Sequence, residues 1–109
     1  MDDFEIVKVA SPIIKKGFLI KQGGFVPTWK RRWFILKKTS LSYFEDEMSS
    51  EPLGTILLAN YMLEDTVVPP KEFCFNFRPK QRGERIYPMC ADNATEFKEW
   101  IQALKVYVF

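Results

Sequence analysis

Thr28-Trp29-Lys30-Arg31-Arg32-Trp33-Phe34-Ile35-Leu36, followed after a short break by Leu41-Ser42-Tyr43-Phe44, carries the plainest structural signal in the chain. Both runs are rich in aromatic and apolar residues that suit a pleated, half-buried surface. In an extended chain, side chains two apart share a face, so Lys30 and Arg32 lie with Phe34 and Leu36, and Leu41 lies with Tyr43. A two-residue turn at positions 38 and 39 would pair Phe34 with Tyr43 and put the phenol diagonally near Arg32 on the same face. The inward face of such a hairpin is apolar at one end and basic or phenolic at the other.

The run just before it, Lys16-Gly17-Phe18-Leu19-Ile20-Lys21, repeats the pattern, with Leu19 and Lys21 on one face. Lys21, Lys30, Arg32 and Tyr43 therefore converge at one open end of the sheet, beneath the loop 22–28. A concave set of donors with no carboxylate among them suits a multivalent anion. Gly23 and Gly24 in that loop can make a turn, and they also let backbone amides approach a phosphate closely. Arg31 falls on the opposite face, where it is expected to be exposed or stacked on a ring, while Trp33, Phe34, Phe97 and Trp100 read as core.

Further along, short β-prone runs are separated by turn residues. Seven strands are expected, at 17–22, 29–37, 41–44, 54–58, 62–68, 73–78 and 86–91, with Gly23-Gly24 and Pro27, Lys38-Thr39-Ser40, Ser49 through Pro52, Pro69-Pro70 and Pro79 through Gly83 between them. Every link is short, which favours antiparallel neighbours. Pro88 interrupts the last strand and must lie on an edge or at a bulge, since proline cannot donate to the ladder. Only the end is helical: Phe97, Trp100, Ile101 and Leu104 recur at i, i+3, i+4 and i+7, and Asn93 with Glu96 forms a variant capping box. The fold class is mainly β, a seven-stranded antiparallel bent sandwich or partly open barrel capped by one C-terminal α-helix. Residues 1–14 read as a lead-in and 15–109 as one domain, in keeping with a chain of 109 residues.

Composition narrows the chemistry. The chain has no histidine and only two cysteines, Cys74 and Cys90, so it lacks the residue sets of zinc sites, serine triads and papain-like dyads. No cofactor or metal is expected, and no carboxylate stands beside a nucleophile, so an enzyme is not expected either. One optional disulfide is all that two cysteines allow, and free thiols in a reducing compartment are the simpler reading. The first residues are acidic where a signal peptide is basic, and the longest apolar run, 56–59, cannot span a bilayer core of about 30 Å, which predicts a cytoplasmic protein.

The net charge of +2 conceals a strong segregation. Lys15, Lys16, Lys21, Lys30, Arg31, Arg32, Lys37 and Lys38 put eight positive charges into residues 15–38, with no acid among them. Arg78, Lys80, Arg82 and Arg85 form a second cluster opposed only by Glu84. Such polarity steers anionic partners without choosing between nucleic acid, an acidic protein and a membrane surface. The rings fall at core positions rather than in an exposed row, which argues against nucleic acid.

The motif 16–21, the basic run 28–36, Leu41-Ser42-Tyr43-Phe44 and a closing helix bearing Trp100 together resemble the pleckstrin homology (PH) domain family over residues 15–106. The resemblance implies the fold just described. A lysine late in the first strand, Lys30-x-Arg32 in the second and a tyrosine in the third, each eleven residues from Lys21 to Arg32 and from Arg32 to Tyr43, are similar to the 3-phosphoinositide-binding subgroup. By that similarity Lys21, Gly23, Gly24, Lys30, Arg32 and Tyr43 hold the headgroup. Arg85, placed early in the seventh strand, adds a phosphate contact. Pro27 stands where relatives often carry a lysine.

The implied function is a non-catalytic, monomeric module that binds the headgroup of phosphatidylinositol 3,4,5-trisphosphate, with the 3,4-bisphosphate as a second ligand, and recruits the protein to the inner face of the plasma membrane. Phe25 and Val26 at the loop tip would contact the lipid interface. The alternative is a protein-interaction module whose basic face docks an acidic segment or a small GTPase. A charge-assisted hydrogen bond is worth roughly 1.5 to 3 kcal/mol and micromolar binding needs about 8 kcal/mol, so four or five donors must act together.

Overall fold

All seven strands and the helix form, with their ends set by local chemistry; the computed structural model describes residues 11–23, 28–65 and 72–109. The strands are β1 (Lys15–Gln22), β2 (Trp29–Leu36), β3 (Ser40–Phe44), β4 (Gly54–Leu57), β5 (Tyr61–Glu64), β6 (Cys74–Pro79) and β7 (Tyr87–Cys90), followed by α1 (Ala94–Tyr107). The fourth strand stops at Leu57 because Leu58–Asn60 make a single 3-10 turn that leads into β5. The sixth begins at Cys74 rather than Phe73, whose φ of 61° lies in the left-handed region and breaks the extended run. The expected strand 62–68 begins one residue earlier, at Tyr61, and its last residues, 66–68, lie outside the described residues.

The strands make one antiparallel sheet in the order β4-β3-β2-β1-β7-β6-β5. The turn at residues 38 and 39 is the expected one: Lys37 N–H donates to Ser40 O at 2.8 Å, and the register pairs Leu36 with Leu41 and Phe34 with Tyr43. Leu19, Phe34, Leu41, Ile56, Tyr61, Phe75 and Met89, one from each strand, belong to a single buried cluster. A flat sheet could not bring its two edge strands into one core, so the sheet is bent around it.

One opening of the bent sheet is covered by α1. Asn93 Oδ1 accepts from the Glu96 backbone N–H at 2.9 Å, which satisfies one of the first orphan amides. Trp100, Ile101 and Leu104 are buried on the face expected from their spacing, and Phe97 packs against the core. Trp33 corrects the core expectation. It follows Arg32 and precedes Phe34, both on the inner face, so alternation turns it outward, where its ring meets Phe18 edge-on at 4.9 Å. Arg31 behaves as expected of the outer face, stacked 4.0 Å from Phe18 and paired with Asp92 at 2.9 Å.

The cysteines are also a correction. Cys74 and Cys90 are bonded to one another, not free thiols. Sixteen positions apart in sequence, they sit directly opposite each other on β6 and β7. Their Cα atoms are 3.9 Å apart, the short spacing of a pair that exchanges no backbone hydrogen bonds.

Candidate anion-binding site

The open end of β1, β2 and β3 holds a cleft of about 210 Å³ lined by Lys21, Gly23, Thr28, Lys30, Arg32, Tyr43 and Leu53. Register explains the convergence: Lys21 faces Lys30 across the β1–β2 ladder, Leu19 faces Arg32, and Phe34 faces Tyr43. Gly23 N–H donates to Thr28 O at 2.8 Å, closing the base of the loop that rims the cleft. Thus Lys21, Gly23, Lys30, Arg32 and Tyr43 come together as the sequence suggested. Gly24, Phe25, Val26 and Pro27 lie outside the described residues.

The electrostatics of the cleft are one-sided. Lys21 is only 7% exposed, and its ammonium sits 4.5 Å from the centre of the Tyr43 ring, a favourable cation–π contact. Burial, and then the positive charges of Arg85, Arg32 and Lys30, bring its pKa down from 10.5 to about 8. The ion pairs among the described residues lie elsewhere: Lys15 with Glu99, Arg31 with Asp92, Arg78 with Glu64, and Lys105 with Asp65. Four cations outside the cleft thus find carboxylates, while Lys21, Lys30 and Arg32 pair with none among the described residues. An anion with several charges would relieve that repulsion at the point where the donors already face one another.

Tyr43 is held from behind. A Cβ at Gly54, its partner across the β3–β4 ladder, would overlap the phenol, so the glycine is required for the ring to lie where it does. The Tyr43 ring lies 5.6 Å from Phe34 and 6.5 Å from Tyr87, and Tyr87 is in turn 5.7 Å from Tyr61. Burial, followed by the neighbouring Tyr87, raises the Tyr43 pKa, and Arg85 partly opposes the rise. The phenol therefore stays a neutral hydrogen-bonding group at physiological pH.

Arg85 precedes β7 rather than lying in it, and it does not line the cleft. Its guanidinium is 4.3 Å from the Tyr87 ring, and Nη2 donates to Gln22 O at 3.0 Å. That bond answers the problem set by Pro88. The β1–β7 ladder ends at the pair Lys21 and Met89, so continuing the register would set Gln22 opposite Pro88. Proline has no N–H to offer, and the arginine supplies the missing donor. Pro88 is thus tolerated where β7 has lost its pairing to β1, as the edge rule requires. The positive charge of Arg85 still stands behind Lys21.

Sequence reasoning missed Thr28, Leu53, Gly54 and Tyr87 as parts of this site. The first two line it only because of loop geometry. Gly54 could have been found only from the register that sets it against Tyr43, and Tyr87 only from the packing that brings its ring near Tyr43.

With the geometry in hand, comparison with known proteins is informative. The sequence profile described as "PH domain" matches residues 13–108. Mouse Cytohesin-4 is 36% identical, the match covering 86% of this chain and 29% of that protein. The mouse dual adapter for phosphotyrosine and 3-phosphotyrosine and 3-phosphoinositide is 37% identical over 84% of this chain and 32% of its own length. The chain thus spans about a third of the length of these two relatives. Among solved structures, the C-terminal PH domain of pleckstrin in complex with D-myo-Ins(1,2,3,4,5)P5 is 31% identical, with a TM-score of 0.74, and covers 90% of this chain and 100% of that one. The shared fold and a family match over nearly the whole length agree, and the chain belongs to the PH-domain family.

Proposed function

We propose that this chain is a non-catalytic membrane-targeting module whose cleft binds the headgroup of phosphatidylinositol 3,4,5-trisphosphate, with the 3,4-bisphosphate as a second ligand. The observation that carries the reading is the set of cations, Lys21, Lys30 and Arg32, around a cleft with no carboxylate in its lining among the described residues. Gly23 adds no side chain to crowd a phosphate, while Tyr43 offers a neutral donor beside Lys21 and Arg85 a positive charge from behind. The reading is supported by the likeness to a PH domain solved with an inositol pentakisphosphate and to a relative named for 3-phosphoinositides. Residues 15–109 act as the module behind the lead-in 1–14. Gly24 belongs to the headgroup loop, and Phe25 and Val26 dip into the lipid interface. The module works as a monomer on the inner face of the plasma membrane.

A panel of liposomes carrying each phosphoinositide isomer at fixed total charge and near-physiological salt tests this. Fixed donors read phosphate positions, whereas a diffuse basic face reads only total charge. Preference for the 3,4,5-trisphosphate and 3,4-bisphosphate over the 3,5-isomer and over phosphatidylserine is the expected result. Equal binding to all surfaces would instead favour a basic face that docks an acidic protein segment.

A further inference from the structure

The two cysteines are the chain's only thiol chemistry, and the site described above makes no direct use of them. We propose that Cys74 and Cys90 form a reversible redox site whose oxidation state sets the affinity of the neighbouring cleft. The coupling rests on the headgroup reading of that cleft.

Three features of the structure support it. First, reduction would not scatter the two sulfurs. The flanking hydrogen bonds of the β6–β7 ladder hold the register independently of the bridge, with Ala91 N–H donating to Phe73 O at 2.8 Å and Phe75 paired with Met89. The two thiols of the reduced form therefore remain opposite one another, ready to close again. Second, the bridge ties down the strand that borders the sheet's shortest seam. Among the described residues, β7 meets β1 through two register pairs, Ile20 with Cys90 and Lys21 with Met89, and β6 is its neighbour on the other side. Third, β7 packs behind residues that line the cleft. Met89 lies across from Lys21, and Tyr87 carries the Arg85 guanidinium and contacts Tyr43. A covalent tie from β6 to Cys90 thus restrains the strand packed against Lys21 and Tyr43.

The chemistry balances with common reagents. In oxidation, one thiolate attacks hydrogen peroxide to give a sulfenic acid and hydroxide; the second thiol then displaces the hydroxyl, forming the disulfide and water. Two electrons leave the protein and two molecules of water are formed. Reduction is thiol–disulfide exchange with a dithiol, which is released as its own disulfide while both cysteines recover their protons. Both residues are nearly buried, at 6% and 5% exposure, so exchange proceeds through local opening of the short β1–β7 seam.

The test is to prepare the chain oxidised, and reduced with a dithiol under argon. Free thiols are counted in each, and calorimetry is run with soluble inositol 1,3,4,5-tetrakisphosphate well below either melting temperature. The reduced form is expected to keep its circular dichroism, to melt roughly 10 °C lower because a loop of this size has been released, and to bind several-fold more weakly. Hydrogen peroxide should restore both properties. The variant Cys74→Ser/Cys90→Ser should match the reduced form and ignore both reagents. Equal affinity in the two states would overturn the coupling and leave a structural staple, and thiols that fail to re-form the bridge would overturn its reversibility. No binding in either state would instead overturn the headgroup reading, and the coupling with it.

Discussion

Raising the pH should weaken binding in the cleft through one residue. In the free protein the Lys21 ammonium has a pKa of about 8, lowered first by burial and then by Arg85, Arg32 and Lys30. A bound polyphosphate reverses the balance of charge and should return the group toward its ordinary value of 10.5. At pH 9 the free lysine is then mostly neutral and the bound one protonated, so binding should take up roughly 0.9 proton per headgroup. The same arithmetic weakens the affinity about tenfold between pH 7 and pH 9. At pH 9 the phosphates are already fully ionised and contribute little to proton exchange. The assay is calorimetry in several buffers of different ionisation enthalpy, run on the parent and on Lys21→Arg. Arginine keeps its charge throughout and reports the contribution of the phosphates alone. Zero proton uptake by the parent at pH 9, or a pH profile identical to that of Lys21→Arg, would refute the claim that Lys21 is a buried, crowded cation facing the ligand. Stability should follow with a definite sign. Because the folded pKa of Lys21 lies below its unfolded value, the unfolded chain binds more protons between about pH 8 and pH 10, and the ligand-free domain should become more stable across that window. Tyr43 and Tyr61, whose pKa values are raised by burial, reverse the trend above about pH 10.

Three other outcomes follow from particular contacts. Gly54→Ala should push Tyr43 out of place, costing about 1 to 3 kcal/mol of stability by overpacking and weakening headgroup binding; Gly54→Ala combined with Tyr43→Leu should recover stability but not affinity, read by thermal melt and calorimetry. Trp100→Ala should cost about 3 to 5 kcal/mol, because a fully buried indole is removed from the helix face, and an unchanged denaturant midpoint would show that the helix is not packed as described. Phe25→Ser/Val26→Ser should weaken binding to liposomes by up to about 1.5 to 3 kcal/mol per inserted side chain while leaving soluble-headgroup affinity unchanged, and equal losses in both assays would assign the loop tip to the pocket instead.

Local patterns carried much of this structure. Period-two alternation placed Lys21, Lys30, Arg32 and Tyr43 on one face, and a two-residue turn fixed the Phe34–Tyr43 register, because each depends only on residues close in sequence. The spacing of Trp100, Ile101 and Leu104 gave the buried face of the helix for the same reason. Long-range placement was not legible. Nothing in the periodicity says that β7 inserts between β1 and β6, and three findings depend on it: the Cys74–Cys90 bridge, the support of Tyr43 by Tyr87, and Arg85 donating where Pro88 cannot. Trp33 was misread because size suggested core, while its parity, sandwiched between Arg32 and Phe34, already sent it outward. The left-handed Phe73 carries no sequence signal, since a bulky residue is disfavoured there and only the surrounding chain enforces it.

The most direct test of the account is titration of soluble inositol 1,3,4,5-tetrakisphosphate into the parent, Lys21→Ala and Arg32→Ala, with circular dichroism on the same samples. Each substitution removes one converging cation and no part of the apolar core cluster. The account predicts micromolar or tighter binding by the parent, on the order of 8 kcal/mol, and no measurable binding by either variant, with all three folded alike. Folded variants that bind like the parent would contradict it and place the anion site elsewhere on the molecule.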